Sequence, residues 1–170
     1  MKPILLIALF LVAMNASAQD DKSKRPSPPA FVKETLTNGT TVSIDYSQPS
    51  VKGRTIGTDL EPLPGKVWRT GANEATVFEV DKDVMVEGQK LPAGKYGLFT
   101  IMNEDGWIVI FNKTWKQWGA FTYKETDDAL RINVSGSKAP QFTEKMTFTI
   151  AKSGLVTLLW GDKQVAFKVN

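Results

Sequence analysis

The chain has 170 residues, 42% of them apolar, and its 21 basic side chains against 18 acidic ones are spread without a concentrated run. That distribution argues against nucleic acid as a partner, which requires a basic face. Histidine and cysteine are both absent, so Ser-His-Asp and Cys-His catalysis, the usual zinc, copper and non-haem iron ligand sets, and disulfides are all unavailable.

Residues 1–18 read as a secretory signal peptide. Lys2 supplies the positive charge, Ile4 to Met14 the apolar core, and Ala16-Ser17-Ala18 the small-residue site, with cleavage expected after Ala18. The apolar core is shorter than the ~20 residues a bilayer span takes. The expectation is an exported protein, periplasmic or extracellular, with no thiol for a lipid anchor and no membrane span in the mature chain. Residues 19–30, charged and then punctuated by Pro26, Pro28 and Pro29, are expected to form a flexible or extended leader. Residues 31–170 are of a length that folds as a single domain around one core.

Within that domain the apolar period is two. Asn38-Gly39 between 31–37 and 40–47 predicts a hairpin, because both residues accept positive φ. Val42, Ile44 and Tyr46 alternate with Thr41, Ser43 and Asp45, and the pattern returns at Thr76/Phe78/Val80, Leu130/Ile132/Val134, Phe148/Ile150 and Val165/Phe167/Val169. Residues 107–111 and 155–160 are apolar at nearly every position, which predicts strands covered on both faces at the centre of the sheets. Turn residues separate these runs at Glu87-Gly88, Pro92-Ala93-Gly94, Glu104-Asp105-Gly106, Lys152-Ser153-Gly154 and Gly161-Asp162. No stretch carries a comparable helical stripe. The expected fold is an antiparallel β-sandwich with few or no helices, a partly closed barrel being the alternative.

The runs Val42-Ser43-Ile44-Asp45-Tyr46-Ser47, Pro49-Ser50-Val51-Lys52-Gly53-Arg54, Gly65-Lys66-Val67-Trp68-Arg69-Thr70-Gly71-Ala72-Asn73-Glu74-Ala75-Thr76, Leu91-Pro92-Ala93-Gly94-Lys95-Tyr96, Leu98-Phe99-Thr100-Ile101, and Phe111-Asn112-Lys113 with Gln117-Trp118-Gly119-Ala120 together carry a resemblance. The chain is similar to the bacterial family known as domain of unknown function 2911, from about Phe31 to the end. The resemblance implies an exported β-rich domain and no particular reaction. Relatives often carry arginine where this chain has Gln48, so a ligand site using that arginine would here lack one cation.

Two clusters carry candidate chemistry. In 68–74, Trp68 offers a flat wall, Arg69 a planar fork for a carboxylate, phosphate or diol, Asn73 an amide and Glu74 an acceptor. The alternative is an irregular loop entering a strand, with Arg69 and Glu74 paired to each other or to loop carbonyls as an internal brace. In 112–123, Asn112, Trp115, Trp118 and Tyr123 set flat rings among amides and lysines, which suits a sugar or other small polar ligand. Packing of those rings over the end of the sandwich is the bland alternative. Both clusters at one end of the domain would favour a binding site, with Trp115 and Trp118 lining it.

Other templates are weak. Ser135-Gly136-Ser137-Lys138 matches S-x-x-K in what reads as a polar turn, without its companion motifs. A glycosidase-like carboxylate pair would join Glu74 to Asp45, Asp59 or Glu61. Asp81-Lys82-Asp83 and Asp127-Asp128 do not continue into a calcium loop, and no glycine-rich phosphate loop is present. No metal or cofactor is expected, and oligomeric state is left open. The function expected is non-catalytic binding of a small polar ligand or glycan, against a structural or protein-interaction module of the cell envelope, and last an acid/base enzyme using Glu74.

Overall fold

The computed structural model describes residues 21–170, so the signal-peptide reading and the first two leader residues lie outside the described residues. Eleven strands run in chain order: β1 Pro29–Thr35, β2 Thr41–Ser47, β3 Val67–Trp68, β4 Thr76–Val80, β5 Val84–Val86, β6 Gln89–Leu91, β7 Gly94–Asn103, β8 Gly106–Asn112, β9 Asp128–Val134, β10 Gly136–Ile150 and β11 Leu155–Lys168. Apart from these, only two single 3-10 turns form among the described residues, at Lys22–Lys24 and Glu125–Asp127. No helix there is long and apolar enough to cross a membrane.

The architecture is the antiparallel sandwich that period-two patterning predicts. A seven-stranded sheet has the order β1-β2-β4-β7-β8-β9, with β3 pairing β7 beyond the end of β4. The long β10–β11 ribbon packs against its inner face, and an isolated bridge between Val86 and Val169 joins the β5–β6 hairpin to the ribbon. Neither layer closes on itself as a barrel. Between the layers lie Ile44, Phe78, Phe111 and Phe167, with Phe78 edge-on to Phe111 at 5.0 Å and Tyr46 edge-on to Phe148 at 5.1 Å. Such aromatic pairs add roughly 0.5–1.5 kcal/mol each beyond the area they bury.

Four expectations change. β1 begins at Pro29, ahead of Phe31. Gly161-Asp162 does not end a strand: Gly161, at φ 60°, forms an irregularity inside β11 opposite Thr143, and a Cβ there would stand 2.5 Å from Ile56 Cδ1. Similarly, Gly136-Ser137-Lys138 opens β10 and is not a free turn. Residues 107–111 are covered on both faces as expected, since Phe111 joins the main core and Ile110 a second cluster outside it. Residues 155–160 are not, because a two-stranded ribbon has only one face to bury. Leu155 stays 43% exposed while Val156, Leu158 and Trp160 point inward.

The second cluster shows what happens on the sheet's outer face. Ala75, Phe99 and Ile110 are buried there beneath Ala120 and Tyr123, so the 113–124 loop roofs the β7–β8 half of that face. Among the described residues the β1–β2 half has no such roof, and Phe31 on β1 is 64% exposed. Register places Phe31, Asp45, Val77, Gly97 and Asn112 opposite one another in a single row across five strands. Gly97 is where the roof begins: a Cβ would meet Phe99 Cε2 at 2.7 Å and the Thr114 carbonyl at 3.4 Å, so only glycine lets the loop backbone come this close.

Candidate functional site

The 69–75 loop bulges out between β3 and β4, which run end to end along one edge of β7. Its inward side chains hold it. Trp68, 2% exposed, donates from Nε1 to the Gly71 carbonyl at 3.1 Å. Thr76 Oγ1 donates to the Thr70 carbonyl at 2.7 Å, and the hydroxyls of Thr70 and Thr100 share a hydrogen bond at 3.1 Å. These bonds retain Thr70 at φ 52°, a conformation that costs a β-branched residue on the order of 1–3 kcal/mol.

Arg69 and Glu74 do not meet. Arg69 Nη1 donates to Glu61 Oε2 at 3.0 Å on one side of the loop, leaving its buried Nε without a partner among the described residues. It lines a cleft of about 340 Å³ with Trp68, Glu61, Arg54 and Trp160. Glu74 faces the other way and takes two cations from the leader: Lys22 Nζ lies 2.9 Å from Oε1, and Arg25 Nη1 donates to both oxygens at 3.1 and 3.0 Å. The expected Arg69–Glu74 brace is therefore corrected. Alternate outward positions of an irregular loop point to opposite sides, and each charge finds its partner on a different segment.

Glu74 lies instead beside the second cluster. Its backbone bridges that of Trp118, Ala75 N–H donates to the Gln117 carbonyl at 3.0 Å, and Gly119 N–H donates to the Asn73 carbonyl at 3.0 Å. The two stretches are sewn together along their backbones. Beside this seam a cleft of about 450 Å³ opens over the unroofed part of the sheet. Asp45, Val77 and Ala75 line it from the sheet side, with Trp115 and Trp118 along one wall and Lys22 and Pro29 from the leader side. Its size lies within the range of small-molecule sites.

Of the residues expected from sequence, Glu74, Trp115 and Trp118 line this cleft. Trp68 and Arg69 line the other. Asn73 supports the leader, donating to the Ser27 carbonyl at 3.0 Å from a backbone at φ 57°. Asn112 and Tyr123 lie beneath and within the roof. Asn112 is fully buried and donates to Lys124 O and Asp128 Oδ1, while the Tyr123 hydroxyl donates to Asp128 Oδ2 at 2.7 Å. Burial, and then that carboxylate, hold the Tyr123 phenol well above its usual range.

Lys22 and Asp45 complete the cleft, with Arg25 held beside it on Glu74 and Trp118, and the leader cations carried no sequence signal. Their pairing with Glu74 is long-range, and no local period reports it. Gly97 did carry one, since glycine inside a strand pattern marks close backbone approach.

The electrostatics differ sharply between the two carboxylates. Burial opposes the charge on Glu74, but hydrogen bonds from Lys22, its own backbone and Arg25 overcome it and bring the group down to about 2. The Asp45 carboxylate has no hydrogen-bond or ion-pair partner among the described residues. Desolvation raises its carboxyl above the ordinary value, with Glu74 adding to the rise and Lys22 and Lys95 opposing it. The rings carry cations as well: the Arg25 guanidinium stands 5.8 Å from the Trp118 ring centre, and Lys95 Nζ 5.5 Å from that of Trp115. Among the described residues no three Asp or Glu side chains gather where a metal ion could be held.

Residues 27–169 match the family described as "Protein of unknown function (DUF2911)". Comparison with curated proteins and with solved structures returns no match. The family match spans most of the chain, and the chain belongs to that family.

Proposed function

We propose that this member of the family is an exported, non-catalytic sandwich that binds a small polar ligand or glycan in the cleft between the leader and the 115–118 loop. The observation that supports it is the cleft itself, where Trp115 and Trp118, 37% and 55% exposed, stand beside two carboxylates over an open sheet face. Exposed tryptophans with polar groups between them bind ligands that present apolar faces and polar edges together. Export follows from the reading of residues 1–18, with the domain in the periplasm or beyond it and no lipid anchor.

An acid/base role for Glu74 fits poorly. A carboxyl held near 2 carries no proton to donate at neutral pH. Of its expected carboxylate partners, only Asp45 shares its cleft, while Asp59 and Glu61 line the other one.

Calorimetry of the purified chain against envelope sugars, polyols, amines and small acids tests the binding reading. Saturable heat from one class is expected, weakened at least about tenfold by Trp118→Ala with the melting temperature unchanged, as truncating a central aromatic anchor does. Arg69→Ala, outside the cleft, should leave it intact. No saturable heat across the panel would overturn the reading. The module reading draws on Phe121, 86% exposed beside the same loop; co-purification of an envelope protein that Phe121→Ser abolishes would favour it instead.

A further inference from the structure

We propose that the ligand is a small organic cation bearing ammonium or guanidinium groups, and that Lys22 and Arg25 of the leader occupy its place until it displaces them. The inference rests on the cleft reading above and names the chemistry of its ligand.

The molecule itself shows what these walls accept. Lys22 presents an ammonium to Glu74 at 2.9 Å, and Arg25 presents a guanidinium to both Glu74 oxygens while standing over the face of Trp118. One side chain thus uses a carboxylate and an aromatic face together, the pair of contacts by which proteins recognise organic cations. Trp115 holds Lys95 in the same manner. With the leader lifted, a ligand would meet two carboxylates, Asp45 and Glu74, and the faces of two tryptophans. An anion would be repelled there, and a neutral polyol would leave both charges unpaired.

Asp45 is the strongest single pointer. It lines the cleft as an exposed side chain, its partners in the sheet row are the apolar Phe31 and Val77, and no described side chain pairs with it. Lys22 reaches Glu74 and acts on Asp45 only through space. A cation spanning both carboxylates would satisfy a charge that the leader leaves unmatched.

The leader is held lightly enough to yield. Its side-chain ties include Lys22 and Arg25 on Glu74, Arg25 over Trp118 and Asn73 on the Ser27 carbonyl; Lys22 is 56% exposed and the Glu74 carboxylate 39%, while Arg25 is 18% exposed. An exposed pair such as Lys22–Glu74 changes an equilibrium by a factor of about 1.4–5. Since a ligand's apparent affinity falls with the fraction of molecules whose site is open, removing the leader cations should tighten binding by about two- to fivefold.

The test uses agmatine, which carries one amine and one guanidinium, with N-acetylglucosamine and citrate as neutral and anionic probes. Trp68, Trp107 and Trp160 are buried, so ligand-dependent tryptophan fluorescence reports on Trp115 and Trp118. Agmatine should give a saturable change that weakens with salt, tightens about two- to fivefold in Lys22→Ala and Arg25→Ala, and weakens at least about tenfold in Asp45→Asn, a substitution that breaks no hydrogen bond. Amide exchange over 22–28 should rise when agmatine is added. Saturable binding of the sugar or citrate, but not of agmatine, overturns this inference and leaves the cleft reading standing. Agmatine binding that the leader variants weaken or leave unchanged, or that Asp45→Asn leaves unchanged, also overturns it. No binding by any probe, including to the leader variants, overturns the inference and counts against the cleft reading as well.

Discussion

Trp68 and Trp118 both bear on the 69–75 loop, and the two could hardly be used more differently. Trp68 is buried to 2% exposure and ties its indole to the Gly71 carbonyl, whereas Trp118 is 55% exposed and lends the loop only its backbone. The same division runs through the loop itself. Thr70 and Thr76 point inward and fix its shape, while Arg69 and Glu74 point outward to separate clefts. Residue type did not decide these roles; the side of the sheet did.

The largest test of that contrast is truncation of each ring. Trp68→Ala should cost about 3–5 kcal/mol in urea denaturation, through lost burial and the cavity left behind, whereas Trp118→Ala should stay within about 0.5 kcal/mol, as surface substitutions do. Equal losses would dissolve the distinction. Gly97→Ala comes next, at about 1–3 kcal/mol, because a methyl group 2.7 Å from the Phe99 ring forces ring or loop to move. Faster amide exchange across 113–118 in that variant would locate the strain in the roof.

A smaller effect sharpens the split between Arg69 and Glu74. Their alanine substitutions should add, with a coupling energy in a thermal-melting double-mutant cycle no larger than about 0.3–0.5 kcal/mol, since they share no partner. Coupling above about 1 kcal/mol would restore the brace.

The smallest effect is in pH. Glu74 is depressed in the folded state, so its contribution is fully present above the ordinary carboxylate value of 4.5 and is lost as pH falls toward about 2. Any stability advantage of wild type over Glu74→Gln should therefore shrink across that window in urea melts. Asp45, raised in the folded state, runs the other way: Asp45→Asn should gain on wild type as pH rises above the ordinary carboxyl value of 3.8. A Glu74 advantage that persists down to pH 2 would show that its ion pairs do not carry it.

Much of the fold was legible because strand formation is local. The alternation at Val42, Ile44 and Tyr46 marks β2, and Asn38-Gly39 marks the hairpin before it. Where reading failed, one local sign carried two meanings: Gly161-Asp162 looks like a turn, yet its positive φ produces an irregularity within β11. The candidate site was legible only in part. Aromatic density pointed to Trp115 and Trp118, and chemical density pointed to Glu74. The same density also drew in Trp68, Arg69, Asn112 and Tyr123, which the fold sends to the other cleft, beneath the roof or within it.

The sequence by itself determined the family, the all-β class and most strand positions, because side-chain alternation follows from the geometry of a single extended strand. Only the tertiary structure decided that Glu74 meets Lys22 and Arg25, that Arg69 meets Glu61, and that Asp45 lies in the same cleft as two tryptophans. Pairings between such distant segments depend on sheet order and on which face each segment covers, and neither leaves a periodic trace in the chain.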